Sequence, residues 1–249
     1  PLDMNPALLE ARLCDDEKHF LGNQLYKRIE QHVPTPYLTH QAYFCGLTFY
    51  VDERVLIPRS PLGELIGQQF SPWVDANGVT DILDLCTGSG CLAIACSYAF
   101  PNALVDAADI SEQALAVATL NRANHGLSQQ LNLIHSDCFK AIPEKRYDII
   151  VSNPPYVGQA EMQTLPKEYQ HEPELALEAE DNGLAIVADI LQHAKHYLKE
   201  DGILVVEVGN SEQALMEAYP DIPFTWLEFE HGGEGVFLLT AGQLNAYFQ

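Results

Sequence analysis

The chain has few basic residues. It contains 13 Lys and Arg against 35 Asp and Glu, a net charge of −22, and it has no Lys/Arg-rich stretch. Affinity for nucleic acids comes mainly from basic side chains that neutralise phosphates. We therefore expect no direct DNA binding, and a basic protein is the partner that fits this charge.

Long apolar runs and metal-type cysteine patterns are also missing. Although 47% of the 249 residues are apolar, no apolar run approaches the roughly 20 residues that a transmembrane helix needs. We expect a globular cytoplasmic protein without membrane contact. The six cysteines form no CxxC pair and no Cys/His zinc pattern, so we expect reduced thiols and no metal.

The pattern of the chain changes near residue 75. Before it, helical spacing of apolar residues such as Leu8, Leu9 and Leu13 stops at Pro34, and strand formers with one glycine at residues 43–51 predict a small hairpin. We divide the chain into an N-terminal accessory region, residues 1–74, and a main domain, residues 75–249.

Short β-rich runs alternate with helix-length stretches in the main domain. The predicted strands are 82–85, 104–109, 131–135, 148–151 and 203–208. This alternation predicts a parallel sheet with helices on both faces. The runs 224–229 and 236–239, joined by a glycine-rich turn, predict a closing antiparallel hairpin. The expected fold class is α/β, Rossmann-like, with seven mostly parallel strands.

The first predicted strand ends in a glycine loop that runs from Asp84 to Gly90. A strand, a tight glycine turn and a helix allow backbone amides to approach a ligand at the helix N-terminus. Asp109, at the end of the second strand, is placed to accept hydrogen bonds from ribose hydroxyls. The alternative is a tight turn in which an aspartate caps the helix before Ser111.

The loop lacks two common phosphate-binding patterns. No Lys follows the glycines, which excludes a P-loop, and Gly88 and Gly90 alone do not form GxGxxG. The expected ligand is an adenosine without a pyrophosphate. S-adenosylmethionine fits, with its amino-acid end at the loop and its ribose at Asp109.

The order of motifs resembles the HemK-type protein-(glutamine-N5) methyltransferases, which are class I S-adenosylmethionine-dependent enzymes. The resemblance rests on DLCTGSG at 84–90, Asp109, Ser136-Asp137 after the third strand, and Asn-Pro-Pro-Tyr at 153–156. Segments 55–64 and 168–177 are similar to the branch that methylates a glutamine of ribosomal protein uL3. Cys86 departs from the pattern, because the wider superfamily usually has glycine there.

The resemblance implies a donor site and a product, S-adenosylhomocysteine, without a metal. Residues 1–74 would recognise the substrate and residues 75–249 would perform catalysis. The implied donor-binding residues are Asp84, Cys86, Thr87, Gly88, Ser89, Gly90, Asp109, Ile110, Asp137, Cys138, Phe139 and Asn153.

The stretch Asn153, Pro154, Pro155 and Tyr156 is the predicted catalytic motif. Pro155 has no N–H, and each proline pushes its predecessor toward extended backbone, so the motif is a stiff turn with free carbonyls. Following the family, the Asn153 side chain and the Pro154 carbonyl would accept the two hydrogens of a substrate amide. Tyr156 would form an aromatic wall beside the cationic donor. The alternative is a turn that only terminates a strand.

Other polar residues receive weaker assignments. His171 and Glu172 are predicted to order a loop and contact the substrate protein, and Arg59 with Glu64 either closes the pocket or forms surface ion pairs. Three functions remain open: methylation of a glutamine in a basic ribosomal protein or another protein such as a release factor, methylation of adenine in nucleic acid, and non-catalytic binding of S-adenosylmethionine.

Overall fold

The computed structural model describes residues 11–248, and the predicted helical positions Leu8 and Leu9 lie outside this range. The N-terminal region begins with helices α1 (Asp15–Glu30) and α2 (Thr35–Thr39). Strands β1 (Ala42–Phe44) and β2 (Leu47–Phe49) form the predicted hairpin, and α3 (Leu62–Gly67) follows it. No helix in residues 11–248 has the length and apolar character needed to cross a membrane.

One sheet of seven strands organises the rest of the chain. Its strands are β3 (Asp81–Leu85), β4 (Leu104–Asp109), β5 (Leu131–His135), β6 (Tyr147–Ser152), β7 (Leu198–Glu207), β8 (Thr225–Trp226) and β9 (Val236–Thr240), in the order β5-β4-β3-β6-β7-β9-β8. The first five strands are parallel, and β9 runs antiparallel to β7 and β8. The predicted fold class and closing hairpin are confirmed.

Two strands differ from the predicted bounds by more than one residue at an end. Strand β7 begins at Leu198, before the predicted start at 203, because Leu198 pairs with Tyr147 ahead of a register shift. Strand β8 contains only Thr225 and Trp226, whereas apolar residues up to 229 had predicted a longer strand. Leu227 and Phe229 pack against the core from outside the ladder.

Helices cover both faces of the sheet. They are α4 (Cys91–Ala99), α5 (Glu112–Asn124), α7 (Ala185–Tyr197), α8 (Glu212–Ala218) and α9 (Ala241–Tyr247). The short helix α6 (Gln159–Met162) has no buried residue. Successive strand residues point to opposite faces: Ile82 packs with α4, whereas Leu83 packs with α7 and α9. Burial on both faces explains why the strands are continuous apolar runs.

The hairpin shares the core of the sheet. Phe44 and Phe49 are buried in one cluster with Ile82 and Leu92. Between the strands, Cys45 and Gly46 both have positive φ, 50° and 73°, which matches the right-handed twist of a two-residue hairpin. The segment that leads from the hairpin to α3 is thereby held against one face of the sheet.

Helix α1 leaves its apolar residues exposed. Phe20, Leu21, Leu25 and Ile29 retain between 42% and 62% of their accessible surface, and no residue of the helix is buried. One ion pair to a later loop, Arg28 to Glu168 at 3.0 Å, attaches its last turn. The predicted helix is confirmed, but the described residues do not cover its apolar face.

Replacing Phe49 with alanine should destabilise the protein by about 3–5 kcal/mol, because a fully buried ring leaves a cavity. Tyr43→Ala is the matched control, since this aromatic residue of the same hairpin is exposed; it should change stability by no more than about 0.5 kcal/mol. Urea unfolding measures both. If Phe49→Ala lowered the free energy of unfolding as little as Tyr43→Ala does, the hairpin would not be part of the main core.

Candidate active site

A pocket lies at the carboxyl ends of the central strands, where ligands bind in open α/β sheets. It contains about 1170 Å³ of empty space, part of it open to solvent. The strand ends form one wall and residues 54–60 form another. The predicted site residues that line it are Cys86, Thr87, Ser89, Asp109, Ile110, Asp137, Cys138, Asn153 and Pro155.

The glycine loop turns sharply after β3. Gly88 and Gly90 have φ of 55° and 81°, and Gly90 precedes the first residue of α4. A Cβ on Gly90 would lie 3.3 Å from the Cβ of Ala118, so the glycine allows the loop to pack closely on α5. Cys86 has a φ of 60°, a conformation that glycine adopts at lower cost. The departure from the family pattern therefore keeps the backbone shape that glycine would favour.

Asp109 joins the loop to the next helix. Its Oδ2 accepts from the backbone N–H of Gly88 and its Oδ1 from that of Ser111, both at 2.8 Å. Each carboxylate oxygen retains a free lone pair, and burial raises the pKa of Asp109. Asp109 thus makes the turn contacts expected if it only capped the helix. It also lines the pocket, where its carboxylate oxygens can accept hydrogen bonds from ligand hydroxyls.

Asp84 lies behind the loop and does not line the pocket. Its Oδ2 accepts from Thr87 Oγ1 at 2.5 Å and from the backbone N–H of Ala93 at 3.1 Å. Within residues 11–248, Oδ1 has no hydrogen-bond partner. Complete burial raises the pKa of Asp84 to about 7. The carboxyl group anchors the loop to α4 with part of its hydrogen-bonding capacity unused.

The pocket offers polar groups that fit the implied donor. Ser89 lines the pocket, and its buried hydroxyl has no hydrogen-bond partner among residues 11–248. A buried polar group without a partner is costly, so a ligand with hydrogen-bonding groups at this end is favoured. Apolar side chains such as Leu85 and Ile186 line other parts of the pocket and suit a planar ring. The residues present fit S-adenosylmethionine.

Asp137, Cys138 and Phe139, the donor-binding residues predicted after β5, lie in two different environments. Asp137 and Cys138 line the pocket, and Asp137 also pairs with Lys140 at 2.5 Å. Phe139 does not line the pocket, because its ring stacks on Tyr197 with 4.6 Å between centroids inside the core.

The Asn-Pro-Pro-Tyr motif forms the predicted turn after β6. Ser152 ties that strand to β3 by donating from Oγ to the Leu85 carbonyl at 2.8 Å. Asn153 and Pro155 face the pocket, and no other group in residues 11–248 bonds to the Asn153 amide. Pro154 is buried and does not line the pocket.

Tyr156 has a different environment from the predicted aromatic wall. Its hydroxyl donates to Glu207 Oε1 at 2.9 Å, and a Cβ on Gly209 would lie 2.6 Å from the ring. The residue does not line the pocket. The ring therefore closes the catalytic turn from behind.

Glu172 fixes the pocket wall formed by residues 54–60. Its buried carboxylate accepts from Arg59 Nη1 at 2.7 Å and from the backbone N–H of Ile57 at 3.0 Å. The Arg59 guanidinium also lies 4.6 Å from the ring centre of Tyr169. Neither Glu172 nor His171 lines the pocket, and His171 contacts the Gln31 carbonyl at the end of α1. These contacts order the loop; a role of the two residues in substrate binding stays a prediction.

Glu64 is not the partner of Arg59. Its carboxylate instead accepts from the backbone N–H groups of Glu230 and His231, at 3.1 and 3.4 Å. Ser60 and Glu207 were not predicted as site residues from the sequence, and they approach the site from different segments. The only available signal was an acid at the end of a predicted strand, the same signal that singled out Asp109.

Comparisons with known proteins identify the family. The model of the Methyltransferase small domain matches residues 71–170. A ribosomal protein uL3 glutamine methyltransferase of Francisella tularensis subsp. tularensis is 49% identical over 246 residues, covering 98% of this chain and 78% of the relative. The chain belongs to the uL3 glutamine methyltransferase family. The methyltransferase of this name from Neisseria meningitidis serogroup A is 47% identical over 98% of this chain and 80% of the relative.

Solved structures share the fold of this methyltransferase. The hMettl16 catalytic domain in complex with the MAT2A 3'UTR hairpin 6 aligns with a TM-score of 0.61 at 18% identity, covering 91% of this chain and 81% of that one. At this identity the likeness concerns the fold alone. The family resemblance and fold class expected from the motifs are both confirmed.

Replacing Asp109 with asparagine should weaken binding of S-adenosylhomocysteine by about ten- to a hundredfold, because charge-assisted hydrogen bonds are lost. In Asp109→Asn the new NH₂ group would also point at the backbone N–H of Gly88 or Ser111, and two donors cannot form a hydrogen bond with each other. Isothermal titration calorimetry measures the affinity. Glu112→Gln is the control, since it removes the same charge from an exposed side chain on the same edge. Unchanged affinity in Asp109→Asn would contradict a role in donor binding.

Asp84 should make the protein less stable as pH rises. The unfolded carboxyl loses its proton near 3.8 and the folded one near about 7, so between these values the folded state binds more protons and its stability falls. Asp84→Asn should flatten this dependence in urea unfolding from about pH 4 to about pH 8. The exposed Asp201→Asn should not. Parallel curves for all three proteins would contradict the assignment.

Proposed function

We propose that this protein transfers a methyl group from S-adenosylmethionine to the side-chain amide nitrogen of a glutamine in ribosomal protein uL3. The observation that carries the proposal is the position of Asn153. Asn153 lines the same pocket as Ser89 and Asp109. An acceptor group held at Asn153 and a donor held at the strand ends would therefore meet inside one cavity.

The donor supplies a methyl group on a sulfonium sulfur, which is the electrophile of the reaction. Toward it, the chain offers hydrogen-bonding groups at Ser89, Asp109 and Asp137. These side chains lie at the ends of neighbouring strands or in the loops that follow them. They would fix the donor so that its methyl group points toward the Asn153 turn.

Asn153 and Pro154 act on the acceptor. An amide nitrogen is a poor nucleophile because its lone pair is delocalised into the carbonyl. Asn153 lines the pocket, and its side-chain oxygen can accept one amide hydrogen. The family resemblance assigns the second hydrogen to the backbone carbonyl of Pro154, a residue that does not itself line the pocket. Both hydrogen bonds would stabilise positive charge as the new bond forms. Holding nitrogen, methyl carbon and sulfur in line can contribute up to roughly 7–11 kcal/mol. The sulfur would leave as the thioether of S-adenosylhomocysteine, and the nitrogen would release one hydrogen as a proton to solvent. No strong base is required.

Charge favours a basic ribosomal protein as the partner. The net charge of −22 attracts a cationic protein and repels phosphate, which argues against nucleic acid as the acceptor. Methylation would take place in the cytoplasm, before or during ribosome assembly.

The N-terminal region provides a surface for the substrate protein. Leu25 and Ile29 belong to the exposed apolar face of α1, and the last turn of this helix is tied to the loop after the catalytic turn by Arg28 and Glu168. A substrate bound on α1 would thus be linked to the pocket through residues 167–172. This fits the assignment of residues 1–74 to substrate recognition.

Asn153→Ala should reduce methyl transfer by about a hundredfold or more, because acceptors aimed at developing charge have effects of this size. The assay supplies tritiated donor to an extract from cells lacking the enzyme and separates protein from nucleic acid. The exposed Asn102→Ala is the control and should label one ribosomal protein at a glutamine. Label in nucleic acid would support adenine methylation. Donor binding without any label would indicate a non-catalytic module.

The double substitution Leu25→Ser with Ile29→Ser should raise the KM for the acceptor protein by about tenfold, because buried apolar contacts are lost from the complex. The KM for the donor should not change. Leu120→Ser is the control, since Leu120 is equally apolar and exposed on α5. Steady-state kinetics with purified uL3 measure both constants. An unchanged acceptor KM in the double variant would contradict docking on α1.

A further inference from the structure

Glu207 is a buried acid at the end of β7 that no step described so far uses. Its Oε2 accepts from Ser60 Oγ at 2.5 Å and its Oε1 accepts from the Tyr156 hydroxyl at 2.9 Å. Ser60 belongs to the wall formed by residues 54–60, and Tyr156 ends the catalytic turn. The carboxylate of Glu207 therefore connects the 54–60 wall to the catalytic turn, two segments that are far apart in the sequence.

We propose that Glu207 is a positioning residue for methyl transfer, which holds Tyr156, and through it the Asn153 turn, at a fixed place relative to residues 54–60. This inference rests on the proposed function, since the turn must bind the acceptor amide. Glu207 itself does not line the pocket and acts only through the two hydroxyl groups.

Neighbouring residues confine the backbone and ring of Tyr156, so Glu207 determines the position of its hydroxyl end. On one side, Gly209 leaves room for the ring, and a Cβ there would lie 2.6 Å from it. The backbone carbonyl of Tyr156 accepts from Ser211 Oγ at 2.8 Å, and a Cβ on Gly183 would collide with this carbonyl. The backbone and ring face of Tyr156 are thus confined. Glu207 fixes the remaining free end, the hydroxyl.

In its ionised form the carboxylate has two acceptor oxygens, so Oε2 can accept from Ser60 while Oε1 accepts from Tyr156. Glutamine has the same shape but a single acceptor oxygen, so one hydroxyl must lose its bond or turn around to accept from the NH₂. Burial raises the pKa of Glu207, and the hydrogen bonds from Ser60 and Tyr156 and the charge of Arg59 oppose that shift. Arg59 belongs to the same wall and is held by Glu172. The wall therefore contributes both a hydrogen bond and a positive charge to Glu207.

A double-mutant cycle separates positioning through Tyr156 from a general loss of structure. Glu207→Gln and Tyr156→Phe should each lower kcat by about tenfold, because a misplaced acceptor site loses part of the benefit of alignment. The double variant should be no slower than the worse single variant, since both changes break the same contact. The KM for S-adenosylmethionine should stay within about twofold in all three. Glu200→Gln, an exposed acid on the same strand, should leave kcat unchanged.

A second measurement does not depend on turnover. In protein labelled with ¹³C at tyrosine Cζ, the nuclear magnetic resonance signal absent from Tyr156→Phe belongs to Tyr156. That signal should shift in Glu207→Gln and stay in place in Glu200→Gln. Ser60→Ala removes the other hydroxyl without altering the buried acid, and it should lower kcat less than Glu207→Gln does.

The outcomes distinguish two failures. If kcat losses in the cycle are additive, or if the Tyr156 signal does not move in Glu207→Gln, the positioning role of Glu207 is wrong. If the intact enzyme labels no glutamine in uL3 while the Tyr156 signal still moves, the proposed function is wrong and the contact itself stands.

Discussion

Parallel pairing of β3, β4, β5 and β6 brings the ends of four strands to the same edge of the sheet. Each strand is followed by polar residues, and the pairing alone makes them neighbours: the glycine loop after β3, Asp109 at the end of β4, Asp137 after β5 and Asn153 after β6. Burial on both faces fixes the register, because a shift by one residue would exchange the side chains that pack in the two clusters on opposite faces of the sheet. The geometry of the site follows from the packing of the core.

Buried acids hold the pieces of this edge together. Asp84 ties the glycine loop to α4, Glu172 binds the 54–60 wall, and Glu207 connects that wall to the catalytic turn. Burying a carboxylate is costly unless hydrogen bonds compensate, and burial raises the pKa of Asp84 and Glu207. Each of these buried carboxylates accepts hydrogen bonds from two donors, which offsets part of this cost.

The N-terminal region contributes to the site in two ways. Its hairpin is packed into the main core through Phe44 and Phe49, which places residues 54–60 against the strand ends. Helix α1 packs none of its apolar residues on the core, and it is attached through its last turn, by Arg28 and the carbonyl of Gln31. A rigid pocket wall and an exposed apolar helix thus come from one region, and both lead to the loop of residues 167–172.

The sequence by itself determined the fold class, the strand order along the chain and the hairpins, because periodicity and turn chemistry are local properties. Its motif resemblance also identified nine of the residues that line the pocket. The motif residues Asp109 and Asn153 could be found for the same reason, since Asp109 ends one predicted strand and Asn153 lies two residues after another. Tertiary structure alone decided that Tyr156 lies behind the turn against Gly209, that Phe139 stacks on Tyr197, and that Arg59 pairs with Glu172. These contacts join residues distant in the chain, and their choice depends on packing and on which buried donors and acceptors meet, which no local pattern records.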